Sequence, residues 1–369
     1  MTTLSPVDIV RQIAWLQQAD GLFSSIRRNR SLRYERADTN VFFTAVTVFT
    51  LQRLRPTLPA DGQRLVEEIT RKAVAAYPLF KNKDGLDTYN FWPTKPSRHF
   101  PNGHLFGRFD HFRIPDDIDD TAMVYLTTTP NDATLLWLKE KLAQHANGAV
   151  YWVRNAAPDY QSLRIYSTWF GKTMPIDFDA CALSNLLYCV YEYNLPRTQH
   201  DTDSLTYLRD IIRSGRYRSD PFGCAPHYAR PSLIAYHVSR LMQAFPIPEL
   251  EPVRPQLIAD AWQLLGQATN RLEQIVLATT LLRLGERPPV IDIEIIEADF
   301  AGFHFFIAGL LTAYETPLLR RWAHHPITQM RWHCDAHCWA LVAEYLAVTL
   351  TPSPFRDGGP PETGEGSKL

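Results

Sequence analysis

Two kinds of helical segment alternate along the chain, and this alternation limits the possible folds most strongly. Six segments are amphipathic, with apolar residues three or four positions apart, and begin near residues 6, 63, 133, 202, 255 and 298. Six others are mostly apolar and begin near residues 38, 116, 177, 231, 270 and 333. A helix that is apolar all round is surrounded by other helices, whereas an amphipathic helix lies on the outside. The sequence therefore predicts an all-α protein, a single (α/α)6 toroid; an irregular all-α domain is the alternative.

The predicted toroid covers residues 1–350 and contains two long irregular stretches, at 78–114 and 149–173. Loops of this length inside a compact domain usually have a function, so we expect them to form a lid or the wall of a pocket. Residues 351–369 are rich in proline, glycine and glutamate, and we expect a disordered tail there.

Composition narrows the range of partners. The chain has 369 residues, 45% of them hydrophobic, and a net charge of −1, so a sizeable core is expected but no nucleic-acid partner. No apolar run is long enough to cross a membrane, and the N-terminus lacks the features of a signal peptide; peripheral membrane contact stays compatible with the sequence. The five cysteines are odd in number and lie mostly in apolar segments, which favours reduced thiols and a cytoplasmic protein.

Acidic residues precede three of the apolar helices. Positions 116–120 hold four aspartates, and a similar segment further along the chain contains Asp177 and Asp179. The first apolar helix is preceded by Asp38 and Asn40. Aspartate is favoured in the first helical turn, where its charge meets the positive end of the helix dipole. In a toroid the starts of the inner helices meet at one end of the ring, so we expect these residues to converge on one site and to contact a substrate.

Residues 117–122 read Asp-Ile-Asp-Asp-Thr-Ala and match the DxDDTA motif of class II terpene cyclases, the squalene-hopene cyclase and copalyl-diphosphate-synthase type. That family carries the motif at the start of an inner helix of an (α/α)6 toroid, a fold shared with the protein prenyltransferases. The resemblance implies that Asp119 is a general acid that protonates an isoprenoid double bond or epoxide and so starts cyclisation. It further implies that Asp117 and Asp120 orient and tune that acid.

The chemistry of crowded carboxyl groups agrees with such a role. Three neighbouring carboxyls cannot all ionise cheaply, so one proton is retained, while the helix dipole favours the carboxylate and makes that proton more acidic. Aromatic side chains, abundant in both long loops, would stabilise carbocations. Tyr125 and His237, on inner helices, are further candidates for substrate contact. Protonation itself requires no cofactor and no metal ligand; Mg²⁺ would be expected if the substrate carries a diphosphate.

One departure from the family concerns its second domain. Class II cyclases place their site between the toroid and another helical domain, and no segment here is long enough to form one. Three explanations stay open: the cavity lies inside the toroid beneath its long loops, a dimer partner closes it, or the activity differs.

Other enzyme classes are compatible with the same residues. Asp116, Asp117 and Asp120 also fit the magnesium motif DDxxD of class I prenyl-diphosphate chemistry, but Leu135 and Lys139 stand where its partner motif requires Ser and Glu. Aspartates at a helix start can also be simple caps, the role expected for Asp116. A non-catalytic toroid that binds a ligand or partner is a further alternative.

Two more enzyme hypotheses rest on other residues. His333, Cys334, His337 and Cys338 have the spacing of metal ligands on a helix, where His333 and His337 share one face and the cysteines another. Asp179-Ala180-Cys181 together with one of these histidines loosely resembles the zinc site of protein prenyltransferases; buried thiols and hydrogen-bonded histidines are the alternative. Across the ring, Asp119 and Asp179 would suit the paired acids of a glycoside hydrolase.

Overall fold

The computed structural model describes residues 4–96, 114–171, 174–294, 296–309, 311 and 316–350. The predicted tail and residues 97–113 of the first long loop lie outside this part of the chain. Within it, no helix is both long and apolar enough to cross a lipid bilayer.

The described residues are mostly helical, as the sequence predicts. The six mainly apolar helices are α2 (Val41–Leu54), α4 (Ile118–Thr127), α7 (Ala180–Glu192), α11 (Pro231–Ala244), α13 (Arg271–Arg283) and α16 (Asp335–Leu350). The longer helices around them are α1 (Pro6–Leu16), α3 (Ala60–Ala76), α5 (Asp132–His145), α8 (Gln199–Arg213) and α12 (Arg254–Gln267). Short helices complete the set: α6 (Pro158–Gln161), α9 (Arg216–Ser219), α10 (Pro221–Cys224), α14 (Glu297–Phe300) and α15 (Pro317–Ala323).

The six apolar helices pack on one another in cyclic order. Each contacts the next in the sequence α2, α4, α7, α11, α13, α16, and α16 packs back against α2. Helices α1 and α3 pack outside α16 and α2, while α8 and α12 pack outside α7, α11 and α13. This arrangement explains the two sequence patterns, because α2 is buried nearly all round whereas α3 buries a single stripe.

A small antiparallel sheet adds to the helices and makes the all-α prediction incomplete. Its strands are β1 (Ser24–Asn29), β2 (Tyr34–Thr39), β3 (Phe306–Gly309) and β4 (Gln329–His333). Their order is β2-β1-β4-β3, so strands from the two ends of the chain pair in the middle of the sheet.

The sixth outer helix, predicted from residue 298 to 314, is wrong. Among the described residues of this range only α14 is helical, and β3 follows it. From Phe303 to Ile307 every second residue is buried, a period of two that suits a strand. The glycines Gly302 and Gly309 further lower the helical propensity of this segment.

Candidate functional site

The acidic motif lies at the start of α4, and its first two aspartates have structural contacts. Asp117 is the N-cap of α4, and its side chain accepts a hydrogen bond of 2.7 Å from the backbone N–H of Asp120. The capping role predicted for Asp116 is therefore wrong. Its carboxylate instead accepts hydrogen bonds from three side chains of the first long loop, those of Asn82, Thr88 and Asn90. Asp116 thus fastens this loop to the start of α4.

Asp119 faces the neighbouring inner helices. Its two carboxylate oxygens accept hydrogen bonds from the Asn185 amide at 2.6 Å and from the Tyr228 hydroxyl at 2.5 Å. The Asn185 carbonyl in turn accepts a hydrogen bond from the guanidinium of Arg240. Burial raises the pKa of Asp119, while the two hydrogen bonds oppose that rise. Both oxygens therefore have donors, an environment that suits an ionised carboxylate.

Asp120 has the opposite environment. The residue is 1% exposed, and neither carboxyl oxygen accepts a hydrogen bond from a donor within the described residues. Burial raises its pKa well above the usual range, and the negative charge of Asp117 raises it further. Burial likewise raises the pKa of Asp117 to about 7. A protonated Asp120 can donate to Asp117, so this pair keeps a proton at neutral pH.

A second acidic pair stands at the start of α7. Asp179 caps this helix by accepting from the backbone N–H groups of Cys181 and Ala182, and its other oxygen accepts from the backbone N–H of His227 at 2.8 Å. Burial raises the pKa of Asp179 to about 7. Asp177 accepts a hydrogen bond from the Trp169 indole at 3.2 Å. Asp177 and Asp179, both predicted to contact a substrate, therefore both form hydrogen bonds with His227.

His227 contacts both acids of the second pair and was missed by the sequence reading. Its Nε2 lies 3.2 Å from a carboxylate oxygen of Asp177. Burial alone would lower its pKa, but the hydrogen bond to Asp177 and the charges of Asp177, Asp179 and Asp117 raise it to about 9. The imidazole is therefore a buried cation among carboxyl groups at neutral pH. It lies in an irregular segment before α11, where no periodic pattern distinguishes it.

The charge of His227 can be measured directly. NMR titration of the imidazole signals is expected to show a cation up to about pH 8, because Asp177 and its neighbours stabilise the charged form. Asp177→Asn should lower the midpoint by about a unit or more, on the order of the shift that a close carboxylate produces. His325, which is exposed, serves as the internal control. A wild-type midpoint near 6.5 would contradict the assignment.

Aromatic rings adjoin the acids. The ring of His227 meets Trp169 edge-on at 5.2 Å and stacks with Phe306 at 6.1 Å. Tyr228, the donor to Asp119, packs edge-on against Phe306 at 5.9 Å and against Phe42 at 6.2 Å. The carboxyl groups of α4 and α7 therefore lie beside an aromatic wall contributed by distant parts of the chain.

Asp38 and Asn40 belong to the same wall rather than to the proton-holding group. Asp38 accepts hydrogen bonds from the indoles of Trp92, at 3.1 Å, and Trp332, at 2.7 Å. Asn40 is the N-cap of α2 and donates to the Ser25 hydroxyl at 3.0 Å. Their contacts give both residues a positioning role.

Of the other two residues predicted to contact a substrate, Tyr125 lies away from the acids and His237 lies beside Tyr228. Tyr125 lies toward the C-terminal end of α4, and its hydroxyl donates to the backbone carbonyl of Asp87 at 2.9 Å. His237 packs edge-on against Tyr228 at 4.9 Å, and burial lowers its pKa well below the usual range. His237 is therefore a neutral neighbour of the site, whereas Tyr125 is away from the acids.

The helical metal motif has a different structure from the one predicted. His333 is the last residue of β4 and Cys334 precedes α16, so only His337 and Cys338 lie on the helix. Among the described residues, no group of three or more His, Cys, Asp or Glu side chains is arranged to hold a metal ion. The prediction of shared helical faces was wrong because the strand continues to His333.

A surface cleft reaches the second acidic pair. Asp177 lines it, together with mostly apolar side chains that include Val153, Pro175, Phe178 and Phe222. Asp177 is therefore a point at which the acidic group meets the protein surface.

Comparison with known proteins gives no family. No protein-family model matches the chain, and a search of curated proteins returns no match. Function is therefore inferred from the acidic group and its surroundings.

Proposed function

We propose that this protein is an enzyme that protonates an isoprenoid double bond or epoxide to start cyclisation, in the manner of class II terpene cyclases. The proposal includes the fold: the cyclic packing of α2, α4, α7, α11, α13 and α16 supports an (α/α)6 toroid. The observation that carries it is the buried, proton-holding pair of Asp117 and Asp120 next to Asp119, whose donor Tyr228 packs against Phe306. An acid of this kind, held away from water, is what protonation of carbon requires.

The hydrogen bonds suggest different roles for Asp119 and Asp120. The family resemblance assigns the proton to Asp119, whereas its two donors favour an ionised Asp119 and a protonated Asp120. In the proposed step the π electrons of the alkene form a bond to the proton of Asp120, which becomes a carboxylate. The resulting carbocation lies near the Asp119 carboxylate, and its later loss of a proton returns the acid to its starting state.

The surroundings support a substrate that is mainly apolar. Ring faces such as those of Trp169 and Phe306 attract cations, and protonation needs no metal ion. Solvent does not reach the Asp120 oxygens in this structure, so substrate access requires side chains such as Tyr228 to move. The five cysteines are all free and buried, and we include a cytoplasmic location in the proposal.

The test is product analysis with linear C15–C30 isoprenoids, as alcohols, epoxides and diphosphates, with and without Mg²⁺. Wild type is expected to give cyclic products, whereas Asp120→Asn should lose at least about a hundredfold in rate, the usual contribution of a general acid. Asp119→Asn, assayed in parallel, decides which carboxyl group donates. If both variants match wild type on a substrate that is turned over, the acid cluster does not do the chemistry.

A paired-carboxylate glycoside hydrolase is the second candidate, favoured by the cleft that reaches Asp177. Asp177, which lines the cleft, and Asp179, whose pKa burial raises to about 7, would be its two carboxyl groups. Hydrolysis of aryl glycosides that is lost in Asp179→Asn and unaffected by Asp120→Asn would favour this reaction over cyclisation.

A further inference from the structure

A second site lies on the sheet and is strongly cationic. A pocket opens between β1, the turn that follows it, the segment 301–304 and β4. Its polar lining consists of Arg28, Asn29, Arg30, Ser31, His304, Gln329, Arg331 and His333. The reaction proposed above uses none of them.

The strand register brings two of these cations face to face. Arg28 of β1 stands directly opposite Arg331 of β4, and His333 follows Arg331 on the same face. Like charges directly opposite each other destabilise an antiparallel pair. Successive side chains of a strand lie on opposite faces, so Trp332, between Arg331 and His333, lies on the other face. Its cross-strand partner Phe306 lies there too, and both belong to the aromatic wall. One face of the sheet therefore serves the acidic site, and the other presents positive charge to the pocket.

Carboxylates balance only part of this charge. Arg28 pairs with Glu35 at 2.6 Å, and both Arg28 and Arg30 donate to the backbone carbonyl of Ala301, at 2.9 and 3.2 Å. Within the described residues, neither Arg30 nor Arg331 forms an ion pair with a carboxylate. The positive charge of these arginines therefore exceeds the negative charge of the carboxylates paired with them.

A fourth arginine lies beside the pocket. Arg230 pairs with Glu273 through one nitrogen, while its other terminal nitrogen, Nη1, is buried without a partner in the described structure. Its guanidinium stands 5.3 Å from the ring centre of Phe303, a residue of the pocket. Burial lowers the pKa of Arg331, and the charges of Arg230 and Arg30 lower it further. The like charges are thus close enough to repel one another.

We propose that this pocket binds a phosphate group, whose negative charge offsets the repulsion between Arg28, Arg30 and Arg331. The planar fork of a guanidinium matches two oxygens of a phosphate, and several arginines on adjacent strands can share its remaining oxygens. The phosphate is either a free small molecule or the headgroup of a lipid. The proposal is independent of the acid chemistry at α4, because it uses the opposite face of the sheet.

Calorimetric titration with sodium phosphate tests the proposal, against sodium chloride at equal ionic strength. Wild type is expected to bind phosphate, and Arg331→Gln to bind about tenfold more weakly or worse, the loss expected for one charge-assisted hydrogen bond. Arg64→Gln is the matched control, since it removes the same charge from an exposed position of α3 outside the pocket. Its affinity for phosphate should equal that of wild type.

Thermal melting gives a second readout that does not depend on binding. In buffer without phosphate, Arg331→Gln should melt at a higher temperature than wild type, because it removes one of two opposed charges. Arg64→Gln should not, because Arg64 lies on a helix and has no cross-strand partner. A gain of stability from phosphate that chloride reproduces, or equal binding by wild type and Arg331→Gln, would overturn the proposal.

Sedimentation with vesicles separates the two sources of phosphate. Phosphatidylcholine vesicles that contain phosphatidate are compared with vesicles of phosphatidylcholine alone. Binding of free phosphate without sedimentation assigns a small-molecule ligand, and sedimentation that requires phosphatidate and Arg331 assigns a lipid headgroup. Absence of both contradicts the proposal.

Discussion

Replacing Asp120 with asparagine is expected to stabilise the protein at alkaline pH while it removes the proposed proton donor. The introduced amide would donate a hydrogen bond to Asp117 at every pH, as protonated Asp120 does only below its own pKa. Wild type holds protons on both residues that the unfolded chain releases near pH 4, since their pKa values are raised. Its free energy of unfolding therefore falls as pH rises through about 7.

The size of this loss of stability follows from the shift in the pKa of Asp117. A rise of the Asp117 pKa from 3.8 to about 7 corresponds to on the order of 4 kcal/mol between pH 4 and pH 8. Because the introduced amide keeps a donor beside an ionised Asp117, we expect the variant to recover roughly half or more of this loss. Urea unfolding of both proteins at pH 4 and pH 8.5 measures it.

The comparison between the two proteins isolates the acid pair. His337, with a pKa lowered by burial to about 3, contributes stability that is lost as pH falls below 6.5, but it is present in both proteins. Asp132→Asn, at an exposed position in the first turn of α5, is the matched control and should leave the pH profile unchanged. A variant less stable than wild type at pH 8.5 would show that Asp120 is not the residue that retains the proton.

Replacing Glu344 with glutamine should give the largest loss of stability. Glu344 of α16 pairs with Arg283 of α13 inside the protein, where the two side chains are 9% and 3% exposed, and it accepts a hydrogen bond of 2.6 Å from the Tyr236 hydroxyl. Removing its charge leaves a buried guanidinium without its carboxylate. The expected cost is about 3–5 kcal/mol in the free energy of unfolding, measured with urea at pH 7.

A double variant separates the pair from its surroundings. Arg283→Met combined with Glu344→Leu should lose less than Glu344→Gln alone, because no uncompensated charge is left inside. Asp61→Asn breaks the exposed pair between Asp61 and Arg11 and should cost less than about 1 kcal/mol. A cost for Glu344→Gln that is as small as that of Asp61→Asn would mean that water reaches Arg283 and that this part of the interior is open.

Sequence reasoning located the apolar helices well because their signals are local. Helix α4 was expected to start at the acidic stretch, and the chain places Asp117 there as its cap. The same logic placed Asp179 at the start of α7. It failed for the segment after Phe300, because a strand that pairs only with residues near the end of the chain leaves a weak signal in its own sequence.

The partners of the acids were beyond local reasoning. Asn185 and Tyr228 meet Asp119 across 66 and 109 positions of sequence, and His227 reaches Asp177 across 50. None of these residues stands out by its spacing or by the residues beside it. They were missed because contacts of this separation follow from how the helices pack.

The amino-acid sequence by itself determined where buried helices begin and that carboxyl groups cap them, since periodicity and capping act over a few residues. Only the tertiary structure decided which carboxyl group keeps a proton. Asp119 and Asp120 are adjacent and chemically identical, yet one receives donors from α7 and from the turn before α11, and the other faces Asp117 without a donor within the described residues. The pKa of a buried acid depends on desolvation and on partners from elsewhere in the fold, and neither is written in its own segment.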